Sequence, residues 1–161
     1  MTVPTTDICD EHYENIRVLD LDYRFFSGKT SAAGTAVLLD LADDNRIIFD
    51  VLKEGGAGKI LVIKVHNQKS PAVVGEATAQ LAVEHKWEAL IIDGALRDTK
   101  EIKSLPVCIA ATKVRPFRLR TENFGKKVKC LNIGGVAIKE GDVIVVDEDG
   151  MIAFEHGLIE F

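Results

Sequence analysis

The chain has 161 residues, of which 47% are hydrophobic, 28% charged and 6% aromatic. That length suits a single domain able to bury a core without disulfides or a structural metal. The apolar share excludes a disordered tail, no run approaches the ~20 apolar residues that span a bilayer, and a net charge of −5 argues against general binding to nucleic acid.

Met1 to Asp7 contains no basic region followed by an apolar stretch, so a soluble, cytoplasmic protein is expected. In chain order, Thr35–Leu41 reads as a strand. Asp43 or Asp44 then caps a helix with an apolar stripe of Ile47, Ile48, Val51 and Leu52, closed by Gly55-Gly56. Lys59–Val65 is almost continuously apolar, as expected of a strand covered on both faces. A second helix is expected from Ser70 as N-cap and Pro71 as first helical residue to about Lys86. A further buried strand, Ala89–Ile92, is expected to end at Asp93-Gly94.

Strand, helix and strand form a βαβ unit with parallel pairing. The second half is β-rich, with short runs at Val107–Ala111, Val128–Ile133, Val136–Ile138, Val143–Val146 and Ile152–Phe154. Turn sequences separate them, Gly134-Gly135 among them. An α/β domain with a mixed sheet follows. From Lys113 to Lys129, seven Lys or Arg accompany one acid, Glu122, leaving a local +6 on a remainder of −11. A solvated loop accounts for such a segment, and so does a seat for an anion or an acidic partner. Cys9, Cys108 and Cys130 are odd in number and far apart, which excludes a disulfide framework and a C-x-x-C metal site. Cys108 and Cys130 lie in apolar runs and are expected in the core.

The βαβ unit brings His66–Ser70 and Asp93–Asp98 to the carboxyl edge of the sheet, where open α/β sheets bind ligands. Glu76, Arg97 and Asp98 converge there, with twenty residues between Glu76 and Arg97. Carboxylates can hold a hydrated divalent cation while a guanidinium grips an acid group in two places. An ion pair of Arg97 with Asp98, Glu101 or Asp93 that merely orders a loop accounts for the same residues. A loop histidine such as His66 is expected to be exposed.

Gly75-Glu76, the twenty-residue interval, and Arg97-Asp98 within Asp93-Gly94-Ala95-Leu96-Arg97-Asp98 resemble the RraA family, the regulators of ribonuclease activity A, and its relatives, the class II 4-hydroxy-4-methyl-2-oxoglutarate aldolases. Thr6–Asp10, Ala42–Asn45, Gly55–Gly58 and Gly141–Gly150 match as well, so the likeness spans nearly the whole chain. It implies a swivelling β/β/α fold and a ring-shaped homotrimer with clefts between subunits.

Two functions follow from the resemblance. One is a protein inhibitor that binds a ribonuclease or RNA helicase in RNA metabolism. The other is a carbon–carbon lyase acting on small 2-keto acids, as aldolase or oxaloacetate decarboxylase. In the lyase, Asp98 would anchor Mg or Mn, and Arg97 and Glu76 would be catalytic. Gly75, Glu76, Ala77, Thr78 and Arg97 would contact substrate. This chain departs from the family at Lys64–Ser70, which has no glycine where relatives are glycine-rich, and at Ser27-Gly28-Lys29, which stands for Gly-Gly-Arg. Bulky side chains there fill space that a backbone cradle leaves open. The first function is therefore ranked above the second. A methyl-donor site is excluded, because Gly55–Gly58 precedes a strand instead of following one.

Overall fold

The computed structural model describes residues 3–42, 45–118 and 125–160. The proposed caps Asp43 and Asp44, and Arg120 and Glu122 of the basic segment, lie outside them.

The elements run α1 (Thr5–His12), a short 3-10 turn, β1 (Arg17–Val18), β2 (Arg24–Phe25), β3 (Ala32–Leu41), α2 (Arg46–Lys53), β4 (Lys59–Val65), α3 (Glu76–Glu84), β5 (Ala89–Leu96), α4 (Thr99–Ile102), β6 (Cys108–Val114), β7 (Lys126–Val128), β8 (Cys130–Ile133), β9 (Val136–Lys139), β10 (Val143–Val146) and β11 (Met151–Phe154). One mixed sheet takes the order β1-β11-β10-β3-β4-β5-β6-β2, with β7 paired to β3 beyond the end of β10. β3 to β6 are parallel; the remaining pairings are antiparallel. Insertion of β10 beside β3 knits the second half of the chain to the first.

Pleat alternation sends the two sets of strand side chains into two cores. Leu61, Ile63 and Val65 join Leu90, Ile92, Ile48 and Leu52 under α2 and α3. Ile60 and Val62 join Ile91, Ala110, Leu131 and Ile138 under the β8–β9 hairpin. The layers are hairpin, sheet and helices, the β/β/α arrangement expected. α2 buries Ile48, Val51 and Leu52 at helical spacing and is followed by Gly55 at φ 95°. Gly134 and Gly135, at φ 57° and 79°, form the two-residue hairpin turn, which requires positive φ at both positions. Among the described residues, no helix is long and apolar enough to cross a membrane.

Several local expectations are corrected. Residues 70–75 are not helical. Ser70 N–H donates to Asn67 O at 2.8 Å, and the buried run Ala72-Val73-Val74 is extended, because β-branched residues there gain more by pairing beside β5 than by coiling. α3 begins at Glu76 with Gly75 as N-cap. Asp93-Gly94 does not end β5; the strand passes through them with a register shift between Ile92 and Ala95. Val128–Ile133 is not one strand, since β7 pairs with β3 while β8 turns into the hairpin. Cys108 is buried but Cys130 is exposed, on the outward side of that hairpin. The basic segment is not simply a loop, because Lys113 lies in β6 and Lys126 and Lys127 in β7.

Candidate functional site

β5 carries Arg97 and Asp98 to the carboxyl edge of the sheet. Beyond its register shift, Ala95 and Leu96 pair with Lys113 and Val114 of β6. On the opposite side the extended segment before α3 takes over where β4 has ended. Val73 N–H donates to Ala95 O and Arg97 N–H to Val74 O, each at 2.9 Å. These two bonds bring Gly75-Glu76 beside Arg97-Asp98 across their separation in sequence.

Asp98 has φ 64° and ψ 40°, a left-handed conformation that costs a non-glycine residue energy and persists only where surroundings enforce it. Its Oδ2 accepts the Glu76 N–H at 2.9 Å and lies 4.0 Å from Arg97 Nε. Asp98 thereby caps α3 from a distant loop, supplying the oxygen that Gly75 lacks. The glycine is required: a Cβ at position 75 would stand 2.7 Å from Asp98 Oδ2 and 3.5 Å from Arg97 Cγ. Arg97 Nη1 also donates to Pro116 O at 3.5 Å. The Glu76 carboxylate accepts from Gln80 Nε2 at 3.4 Å, one turn along α3. Ala77 is exposed, whereas Thr78 is buried on the core side of the helix. Gly75, the backbone of Glu76, Arg97 and Asp98 therefore form one cluster, and Ala77 and Thr78 flank it.

Among the described residues, no three His, Cys, Asp or Glu side chains converge as a metal cage. Asp98 commits one oxygen to the helix and retains Oδ1. A single hard carboxylate oxygen with water and ligand oxygens suits Mg²⁺, which keeps most of its waters. The donor set fits a hydrated cation shared with a ligand.

The loop after β4 is occupied by its own side chains. His66 Nε2 pairs with Asp40 Oδ1, so the exposed histidine has a partner after all. Gln68 Nε2 donates to Val65 O at 2.6 Å, and Gln68 Oε1 accepts from Lys113 Nζ. Sequence reasoning missed a polar row on the hairpin face. Asp40, Lys64 and Asp93 lie in register across β3, β4 and β5, and Thr112 Oγ1 of β6 is 3.4 Å from Asp93 Oδ1. Lys64 Nζ donates to Asn132 O of the hairpin at 2.6 Å. The available signal was one polar residue near the end of each apolar strand.

A three-layer α/β fold in which an Asp beside an Arg, at the end of a parallel strand, caps a helix defines a class known by both its fold and its motif. The RraA-like family model, described as Aldolase/RraA, matches residues 5–153, and the chain belongs to that family. A putative 4-hydroxy-4-methyl-2-oxoglutarate aldolase from Alkalilimnicola ehrlichii is 28% identical over 160 residues, 99% of each chain. The structure of the RNA-processing inhibitor RraA from Thermus thermophilus is 30% identical, with a TM-score of 0.91 over 98% of each chain. A structure described as S-adenosylmethionine: 2-dimethylmenaquinone methyltransferase from Geobacillus kaustophilus is 28% identical, with a TM-score of 0.92 over 97% of each.

Proposed function

We propose that this chain regulates RNA processing by docking, as a cytoplasmic homotrimer, on a ribonuclease or RNA helicase. The observation that supports this reading is the loop after β4. A backbone cradle for a small anion needs open N–H groups and little side-chain bulk. Here His66 and Gln68 are tied to Asp40, Val65 and Lys113, so polar groups of this rim are bonded to the protein itself. The likeness to an RNA-processing inhibitor along 98% of both chains agrees with it. The test is cleavage of a defined RNA by the purified ribonuclease E-type enzyme of the same organism. Stoichiometric addition of this protein should lower the rate and yield a complex on gel filtration. An unchanged rate with no complex would overturn the proposal.

The cluster at the end of β5 favours a second reading, a divalent-metal-dependent lyase for short 2-keto acids. Asp98 would hold Mg or Mn through its remaining oxygen. That ion, when bound, would polarise the keto oxygen of the substrate. Arg97 would grip the substrate carboxylate with the guanidinium edge not turned to Asp98. Glu76, near the same helix N-terminus, would take part in proton transfer, and Gly75 to Thr78 would border the substrate. Pyruvate release from oxaloacetate and from 4-hydroxy-4-methyl-2-oxoglutarate measures this directly. Metal-dependent turnover that falls about 100-fold or more in both Arg97→Ala and Asp98→Ala would reverse the order of the two readings. No turnover with either metal would remove the second.

On the methyltransferase name borne by one structural neighbour, the glycines bear directly. Gly55–Gly58 joins α2 to the start of β4, at the end of the sheet away from Arg97, and Gly56 packs against Trp87. They close a helix and seat a ring, and we do not assign methyl transfer to them.

A further inference from the structure

We propose that the cleft between the β2–β6 edge and α4 binds a phosphorylated small molecule of nucleotide size, at a site separate from the Arg97–Asp98 pair. The cleft has a volume of about 730 Å³ and is lined by Arg24, Lys100 and Lys103 with the hydroxyl residues Ser27, Thr30 and Thr99. Organic ligands are commonly held in clefts of roughly 300–1,000 Å³.

Charge is the first argument. No carboxylate lines the cleft, and none of its three cations has an ion-pair partner among the described residues. Elsewhere Arg17 pairs with Asp142, Lys127 with Glu54 and Lys139 with Glu155. Arg24, Lys100 and Lys103 are exposed around this one cleft, so an entering anion meets three cations on a chain of net charge −5.

Preorganisation is the second argument. The Arg24 guanidinium carbon lies 5.0 Å over the Phe26 ring, which restrains the guanidinium and leaves its N–H edge for a ligand. Ser27 is anchored by donating to Val107 O at 2.6 Å. A planar fork, two ammonium groups and the Thr99 hydroxyl match a phosphate ester of two or more charges, whereas the Ser27 and Thr30 hydroxyls already donate within the protein. Of the two half-buried phenylalanines at the cleft, Phe26 lies under the Arg24 guanidinium and supplies the apolar surface on that face of the sheet, whereas Phe25 packs into the opposite core. Size favours a small ligand over a long polyanion, because acids bound the cleft: Glu101 is exposed on α4, and Glu148 Oε1 accepts from Thr30 Oγ1 at 3.0 Å.

The test is calorimetric titration with ADP, with tripolyphosphate and with adenosine, in EDTA and near-physiological salt. ADP and tripolyphosphate should bind saturably at one site per chain, and adenosine should not. Arg24→Gln and Lys103→Gln should each weaken ADP binding about tenfold while melting as the parent protein does. Glu148→Gln should tighten it. Lys53→Gln, which removes a cation on α2, should leave it unchanged, and so should Arg97→Ala, which separates this site from the one proposed above. Absence of saturation would overturn the proposal. So would equal loss in Lys53→Gln and Arg24→Gln, or tighter binding of a single-stranded RNA than of ADP through the same three cations.

Discussion

Trp87 is the chain's one tryptophan and shows how much a single residue depends on its neighbour. Its indole N–H donates to Leu52 O at 2.9 Å, and its ring lies against Gly56. A Cβ on Gly56 would fall 2.1 Å from Trp87 Cδ2, so no methyl fits without moving a buried ring. Gly56→Ala should therefore cost about 1–3 kcal/mol, the usual range for overpacking. Urea unfolding followed by tryptophan fluorescence measures this, and an unchanged midpoint would mean that the ring gives way freely. The cysteines make a second residue-scale case. Burial pushes the Cys108 thiol up to about 12, with only weak opposition from Lys29, whereas Cys130 is exposed. Reaction of the native protein with Ellman's reagent at neutral pH should modify Cys130 first and reach Cys108 only on unfolding. A fast phase that survives in the Cys9→Ser, Cys130→Ser double variant, which also removes the half-exposed Cys9, would contradict this.

At the scale of elements, two helices are capped by carboxylates from remote turns. α1 follows Pro4 and α3 follows Gly75, neither of which has a side-chain acceptor. Asp98 serves α3. Asp147, in the β10–β11 turn, serves α1 by accepting Thr5 N–H and Thr5 Oγ1, each at 2.8 Å. Burial raises the Asp147 carboxyl, but bonds from Thr5, Asp149 and Gly150 outweigh burial and hold it below the ordinary carboxylate value. A carboxyl lowered by folding adds stability above its unfolded value, near pH 4, and loses it as pH falls through the folded value. Asp147→Asn should therefore be less stable than the parent protein at pH 7 by about 1 kcal/mol, because its amide keeps one acceptor oxygen and turns N–H groups toward donors that the second carboxylate oxygen now accepts. The gap should close toward pH 3, and thermal melts across that range decide it. A constant gap would show that ionisation of Asp147 contributes nothing.

At the scale of the whole molecule, both outer strands of the sheet are two residues long, and Val18 and Phe117 are exposed by 57% and 74%. Val18 stands on the outer strand β1, while Phe117 follows β6 and its carbonyl accepts from Ala72 N–H; exposed large apolar groups such as these favour contact with other chains. Light scattering after gel filtration should give three times the 17.6 kDa chain mass, and a monomer at low micromolar concentration would count against the trimer.

The sequence alone determined the class of fold, the parallel strands at their cores, the hairpin turn and the family. Those features rest on local terms: apolar periodicity, glycine at positive φ, and a motif whose parts are recognisable by type. The tertiary structure decided what lies between distant segments. It made 71–74 a strand-like neighbour of β5 where a local rule placed a helix start, because pairing and burial outweighed the preference of Pro71 for a first turn. It also turned Asp98 and Asp147 into helix caps from far along the chain, and gathered Arg24, Lys100 and Lys103 around one cleft. Such arrangements depend on which backbone passes beside which, a distance that no spacing along the chain encodes.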